Sequence, residues 1–88
     1  MIKWDLISYI ISSTLRFKIM IELNKGVNIP TKLAKNVGYP ISHVSKTLRE
    51  LEEKKLIKCL TPNRRKGKIY EISQLGKEIL SNINKLTL

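Results

Sequence analysis

The chain has 88 residues, which suits one small domain of about 50–200 residues and is too few for a multidomain enzyme. Lysine and arginine number 17 against 7 acidic residues, so the formal charge is +10, which favours a polyanionic partner, either nucleic acid or a membrane surface. The hydrophobic fraction of 42% excludes a disordered basic tail, and a body this small hides only about 60–65% of its unfolded surface, which makes pairing with a second copy favourable.

Residue types that carry chemistry are scarce. Cys59, His43 and Asp5 are the only cysteine, histidine and aspartate. We therefore predict no disulfide, metal, cofactor or small-molecule ligand, and no enzymatic activity, because metal sites and acid–base catalysis need several such groups. The charge-free stretch near the start, residues 6–15, is shorter than the roughly 20 residues that span a bilayer. We expect a cytoplasmic protein without a membrane anchor, and Cys59 as a core residue.

Two helices are predicted at the start. Helical spacing predicts the first over residues 2–11, and its apolar positions are Ile2, Leu6, Ile7, Ile10 and Ile11. Residues 12–14 are hydroxyl-bearing and predict a break and a helix cap. A second helix is predicted over residues 15–24, with a buried stripe of Leu15, Ile19, Met20 and Leu23.

Two further helices are predicted in the centre. Residues 27–29 are expected to be extended, because proline restricts the residue before it. A third helix over residues 30–37 begins with Pro30 and ends at Gly38. A fourth is predicted over residues 40–55. The inward positions of the third helix are Leu33, Ala34 and Val37. The fourth has apolar residues spaced by three and four, at Ile41, Val44, Leu48 and Leu51.

A β-hairpin and a last helix complete the pattern. Strands are predicted over residues 56–61 and 68–73, joined by a loop with Pro62 and Gly67 at its ends. Ser73 is expected to cap a helix with inward positions Leu75, Ile79, Leu80, Ile83 and Leu86. The expected fold is mainly α with a small β-hairpin (α+β), in the order α-α-β-α-α-β-β-α.

Several segments carry a resemblance to a known family. They are IPTKLAKNVG (residues 29–38), SHVSKTLRELEEKKLI (42–57), RRKGKIY (64–70), SQLG (73–76) and, upstream, WDLISY (4–9) with the Ser13-x-x-Arg16 pattern. Together they resemble small archaeal winged helix-turn-helix transcriptional regulators of the MarR/ArsR-like superfamily. The resemblance implies one DNA-binding domain over residues 1–88, and a homodimer formed through the flanking helices at residues 1–13 and 74–88. For Arg16 it leaves two roles open, an ion pair or a phosphate contact.

The fourth helix has the pattern of a DNA-recognition helix. On a helical wheel, Val44, Leu48 and Leu51 share one face, while hydroxyl, imidazole and cationic groups occupy the rest. Such groups can bond base edges in the major groove. The predicted DNA contacts on this helix are Ser42, His43, Ser45, Lys46 and Arg49. A merely solvated face is the alternative interpretation of this helix taken alone. Pro40 stands where relatives commonly have a hydroxyl residue, so the roles of Ile41 and Ser42 depend on where the helix begins.

The placement of charge supports this interpretation. No acidic residue occurs between residues 23 and 49, whereas Glu50, Glu52 and Glu53 follow at the end of the fourth helix. On the third helix, Thr31, Lys32 and Lys35 are predicted phosphate contacts. In the hairpin loop, or wing, Arg64 and Arg65 are predicted to enter a narrow minor groove, and Lys66 and Lys68 to contact phosphate. A solvated basic loop is the alternative for the wing.

The function predicted from these patterns is that of a sequence-specific, dimeric regulator that binds double-stranded DNA at the nucleoid. The alternative is a winged-helix module for nonspecific DNA packaging or for protein–protein interaction.

Overall fold

Residues 3–86, which the computed structural model describes, form five helices and one hairpin. They follow the predicted order, except that no strand is formed between the second and third helices. The elements are α1 (Trp4–Ile11), α2 (Thr14–Lys25), α3 (Pro30–Val37), α4 (Ile41–Glu53), β1 (Ile57–Cys59), β2 (Tyr70–Ile72) and α5 (Gln74–Leu86). The α+β prediction is therefore confirmed. Ile2, a predicted member of the first apolar stripe, lies outside the described residues.

The helix boundaries follow local backbone chemistry. The Ser13 hydroxyl accepts the Arg16 N–H and caps α2. Gly38 ends α3 in the left-handed conformation, at φ 76°. Pro40 has an extended ψ of 146° and provides no side-chain cap, so α4 begins after it, at Ile41. It also ends earlier than predicted, because Lys55 adopts a left-handed φ of 62°, which no α-helix can continue through.

The hairpin is shorter than predicted. Three antiparallel pairs connect β1 and β2, with Ile57 opposite Ile72 and Cys59 opposite Tyr70. Beyond them the Ile69 N–H donates to the Thr61 hydroxyl, at 3.0 Å, instead of to a strand carbonyl. The predicted extended segment at residues 27–29 is reduced to one bridge, in which Asn28 and Tyr70 exchange two backbone hydrogen bonds.

The core consists of the apolar faces of all the helices and the inner side of the hairpin. The predicted stripe of α2 is buried throughout, as are Leu33, Val37, Val44, Leu48 and Leu51. Three residues at predicted apolar positions are instead exposed, Ile11 by 57%, Ile41 by 46% and Leu86 by 51%. Each is the first or last residue of its helix. Burial is therefore not found at these three positions, whereas Val37, the last residue of α3, is buried as predicted. Cys59 is half-buried.

Ser73 joins the hairpin to α5. Its hydroxyl donates to the Lys55 carbonyl at 2.7 Å and accepts the Gly76 N–H at 3.0 Å. One side chain therefore caps α5, as predicted, and also attaches it to the turn that follows α4.

Replacing Ser73 with alanine is expected to lower the free energy of unfolding by about 1–2 kcal/mol, because both hydrogen bonds are removed. Urea denaturation followed by circular dichroism measures this change. Ser81→Ala, at an exposed position of the same helix, is the matched control and should change stability by less than about 0.5 kcal/mol. Equal unfolding midpoints for the two variants would contradict the role given to Ser73.

Candidate nucleic-acid interface

Helix α4 is buried on one side and polar on the other. Val44, Leu48 and Leu51 pack in the core, together with the side chain of Thr47. The predicted contacts Ser42, His43, Lys46 and Arg49 are exposed, and Ser45 is half-buried. The helix thus presents hydroxyl, imidazole and cationic groups to solvent from a rigid support.

The wing and α4 form the two sides of one groove, here called the wing groove. Its lining includes Ser45 and Arg49 from α4, and Arg65 and Lys68 from the wing, around a volume of about 290 Å³. Pro30, at the start of α3, lies at its edge. The fold therefore brings together residues that are distant in the sequence, and three of them, Arg49, Arg65 and Lys68, are cationic.

Tyr70 forms part of the floor of the wing groove and is buried. Burial raises the pKa of its phenol above the ordinary value, with smaller contributions in the same direction from Cys59 and Glu52. The guanidinium of Arg49 opposes them and lowers this pKa. Tyr70 thus stays neutral at physiological pH.

A second depression lies along the opposite edge of α4. His43 and Lys46 line it together with Leu15 and Arg16 from the first turn of α2. Glu50 lies at its far end. The polar face of α4 is therefore divided into two edges, one toward the wing groove and one toward α2.

Arg16 is held in place by its own neighbourhood. Its guanidinium lies 3.9 Å from the centroid of the Tyr9 ring and donates to the Tyr9 carbonyl at 2.9 Å. A longer hydrogen bond, 3.3 Å, reaches the Ser12 hydroxyl. Among the described residues no ion pair of Arg16 is found, so the ion-pair alternative has no support there. The phosphate contact stays a prediction.

The predicted phosphate contacts on helix α3 lie at the protein surface. Thr31, Lys32 and Lys35 are all exposed. They do not line the wing groove, where α3 contributes Pro30 instead. They therefore form a separate basic surface beside it.

The wing places its two arginines differently. The Arg64 guanidinium folds back and donates to the Gly67 carbonyl, at 3.4 Å, across the loop. Gly67 has a φ of 66°, which favours glycine and lets the loop reverse. Arg65 lines the wing groove, Lys66 is exposed, and Lys68 is half-buried.

Positive charge on this side of the protein is not neutralised internally. Within residues 3–86 the ion pairs are Lys25 with Glu22, at 2.8 Å, and Lys58 with Glu71, at 3.4 Å. A hydrogen bond from Lys25 lowers the pKa of the Glu22 carboxyl. Neither pair includes a predicted DNA contact, so those cations stay available for an anionic ligand.

Neither a metal site nor a membrane span is found in the same part of the chain. No cluster of three or more His, Cys, Asp or Glu side chains there has an arrangement that could hold a metal ion. None of the helices from α1 to α5 combines the length and the apolar character needed to cross a bilayer.

Comparison with solved structures identifies the architecture. A MarR-family transcriptional regulator from Enterococcus faecalis V583 superimposes with a TM-score of 0.80 at 20% identity, over 94% of this chain and 77% of that one. The fold is a winged helix. No protein-family model matches the sequence, and no curated protein matches it.

Two other solved structures are similar. One is the homodimeric DNA-binding domain of Mb0332 from Mycobacterium bovis, a possible ArsR-family regulator, with a TM-score of 0.69, 19% identity, and coverage of 92% of this chain and 73% of that one. The other is ZitR from Lactococcus lactis in complex with DNA, with a TM-score of 0.58, 21% identity, and coverage of 84% and 58%. This chain covers 56% and 57% of the length of two further matched chains. It therefore spans between half and two thirds of several of the proteins that it matches.

The resemblance to winged-helix regulators is thus confirmed for the fold. The archaeal character of that resemblance stays a prediction, as do the individual DNA contacts. The sequence does not predict that Arg16 of α2 lies beside His43 of α4 in the same depression. Only the packing of α2 against α4 brings the two residues together.

Proposed function

We propose that the chain is a sequence-specific regulator of transcription that binds double-stranded DNA as a homodimer. The observation that carries this proposal is the wing groove, where Ser45 and Arg49 of α4 face Arg65 and Lys68 of the wing. A polar helix and a basic loop on the same side can contact a groove and the adjoining backbone of one duplex together.

In this proposal α4 lies in the major groove, which is about 12 Å wide and accepts one α-helix. The base contacts are assigned to Ser42, His43, Ser45, Lys46 and Arg49. Arginine and lysine pair with O6 and N7 of guanine, while serine and histidine can bond more than one base edge. The late acidic residues, Glu52 and Glu53, are exposed at the end of α4, where the helix leaves the groove.

Contacts to the DNA backbone hold the protein in position. They are assigned to Thr31, Lys32 and Lys35 on α3 and to Lys66 and Lys68 in the wing. Arg64 and Arg65 are assigned to the minor groove, whose negative potential is enhanced where it narrows. Of the two, Arg65 already faces the wing groove, whereas Arg64 must first release the Gly67 carbonyl.

Dimerisation is assigned to the flanking helices α1 and α5. Both expose large apolar side chains, Trp4 and Ile11 on α1 and Leu86 on α5. The similar domain from Mycobacterium bovis is homodimeric, which supports the same state here. In such a dimer the two symmetric recognition helices contact two half-sites. The centres of these half-sites are separated by one helical turn of DNA, about 10 base pairs, or by a multiple of it. The whole of residues 1–88 then acts as one DNA-binding unit, in the cytoplasm at the nucleoid.

Replacing Trp4 and Ile11 together with serine is expected to weaken self-association by about tenfold or more, because less apolar area is buried between the protomers. Sedimentation equilibrium measures the dissociation constant. Val27→Ser removes an equally exposed apolar side chain outside α1 and α5 and should leave the association unchanged. A double variant that associates as the wild type does would place the dimer interface elsewhere.

The proposed function is tested by selection from a random pool of duplex DNA, followed by competitor titration. We expect an enriched inverted repeat, bound at least about a thousandfold more tightly than unrelated DNA. A specificity ratio near one would instead indicate nonspecific DNA packaging. Absence of DNA binding at low salt would contradict the proposal and favour a protein-interaction module.

A further inference from the structure

Ile41 is an apolar side chain at the start of the polar helix α4. It is the first residue of the helix and is 46% exposed. Of the large hydrophobic side chains that are exposed within residues 3–86, it alone belongs to α4; the others are Trp4, Ile11, Val27, Leu60 and Leu86.

Helix geometry places Ile41 in a row with two predicted contacts. Residues four apart are about 40° apart around an α-helix and about 6 Å apart along it. Ile41, Ser45 and Arg49 therefore follow one another along the edge of α4 that faces the wing, and the last two line the wing groove. The row presents an apolar group, a hydroxyl and a guanidinium, in that order.

We infer that Ile41 recognises the C5-methyl group of a thymine in the major groove. The inference rests on the proposed DNA-binding function and adds to it a residue that selects one base. In the major groove thymine presents this methyl group, and apolar side chains contact it. Contact would remove the exposed methyl groups of Ile41 and of thymine from water, which is favourable.

The contacts along DNA follow the order of these residues along α4. The N-terminal residues of a recognition helix contact base edges in helix-turn-helix proteins. Pro40 and Ile41 provide no side-chain cap at that end, and neither side chain donates or accepts hydrogen bonds. Ile41 selects thymine by shape and burial, while Ser45 and Arg49, one and two turns along, bond the neighbouring base pairs.

The test uses the preferred duplex recovered from the random pool by the full chain. Each thymine is replaced in turn by deoxyuridine, which lacks the C5-methyl group and keeps every hydrogen-bonding atom. We expect one thymine in each half-site to be sensitive to this replacement. Replacing it in one half-site should lower the wild-type affinity by about fourfold, and replacing it in both half-sites by about 15-fold. Ile41→Ser should bind the thymine and deoxyuridine duplexes equally, and Ile41→Val should keep most of the discrimination.

The control variant is Val27→Ser, which removes an exposed apolar side chain away from α4 and should keep the full discrimination. Discrimination that persists in Ile41→Ser would overturn the inference, because another group would then contact the methyl. A preferred duplex whose binding is insensitive to every replacement, or which contains no thymine, overturns it too, while the proposed function stands. Failure to recover any preferred duplex overturns both.

Discussion

Replacing Arg64 and Arg65 together with alanine is expected to weaken DNA binding at physiological salt by at least about tenfold and to flatten its salt dependence. Each arginine that neutralises one phosphate charge, here from within the minor groove, contributes about 0.9 to the slope of log K against log salt, so the slope should fall by up to about 1.8 per protomer. Fluorescence anisotropy titrations at several salt concentrations measure both quantities. The physical reason is that bound arginines release counterions from the duplex.

A charge-matched control separates this effect from a general decrease in positive charge. Lys25→Ala with Lys77→Ala removes the same two charges, and neither lysine lines the wing groove. That variant should keep nearly the wild-type slope. A third variant, Arg64→Lys with Arg65→Lys, keeps the charge but has no planar guanidinium groups in the wing. We expect it to retain the slope and to bind A·T-rich sites more weakly. An unchanged slope in the alanine variant would refute the assignment of the wing.

Replacing Gly76 with alanine is expected to destabilise the fold by about 1–3 kcal/mol or more, even though alanine favours helices. A Cβ at this position would collide with the Leu56 carbonyl oxygen and lie 2.7 Å from Ile72 and 3.0 Å from Met20. The first obstacle is backbone and cannot rotate away, so α5 would have to move off the hairpin. Thermal and urea denaturation of the variant measure the decrease in stability.

The predicted loss of stability in Gly76→Ala results from close packing and not from a backbone conformation that favours glycine, since no left-handed φ is found at Gly76. Ser81→Ala introduces alanine at a position of α5 that is exposed and not closely packed. This substitution should leave the stability unchanged or raise it slightly. If Gly76→Ala were as stable as the wild type, the close approach of α5 to the hairpin would not exist in solution.

Periodicity predicts the middle of a helix better than its ends. The stripe of α2 is buried as predicted. Ile11, Ile41 and Leu86 fit the same spacing but are terminal, and spacing says nothing about how far a neighbouring element extends. The predicted hairpin is too long for a related reason, since the Thr61 hydroxyl replaces a strand partner at Ile69.

The polar face of α4 is predictable from the helical wheel, whereas its division into two edges is not. That division depends on where the wing and α2 pack, and both are distant in the sequence from α4. The same limit applies to the wing. Adjacent arginines are equivalent in a sequence, but the loop geometry turns Arg64 onto the Gly67 carbonyl and leaves Arg65 in the wing groove.

Ser73 is the single residue between β2 and α5, and its hydroxyl also binds the turn after α4. The proposed recognition helix α4, the wing and the proposed dimer helix α5 are thus joined at one point without a linker. In a dimer formed through α5, the distance between the two recognition helices would be determined by residues of α5, and the bases they select by residues of α4. Mutation could then alter the spacing of a target site and its base sequence independently, so that new binding sites could evolve in separate steps.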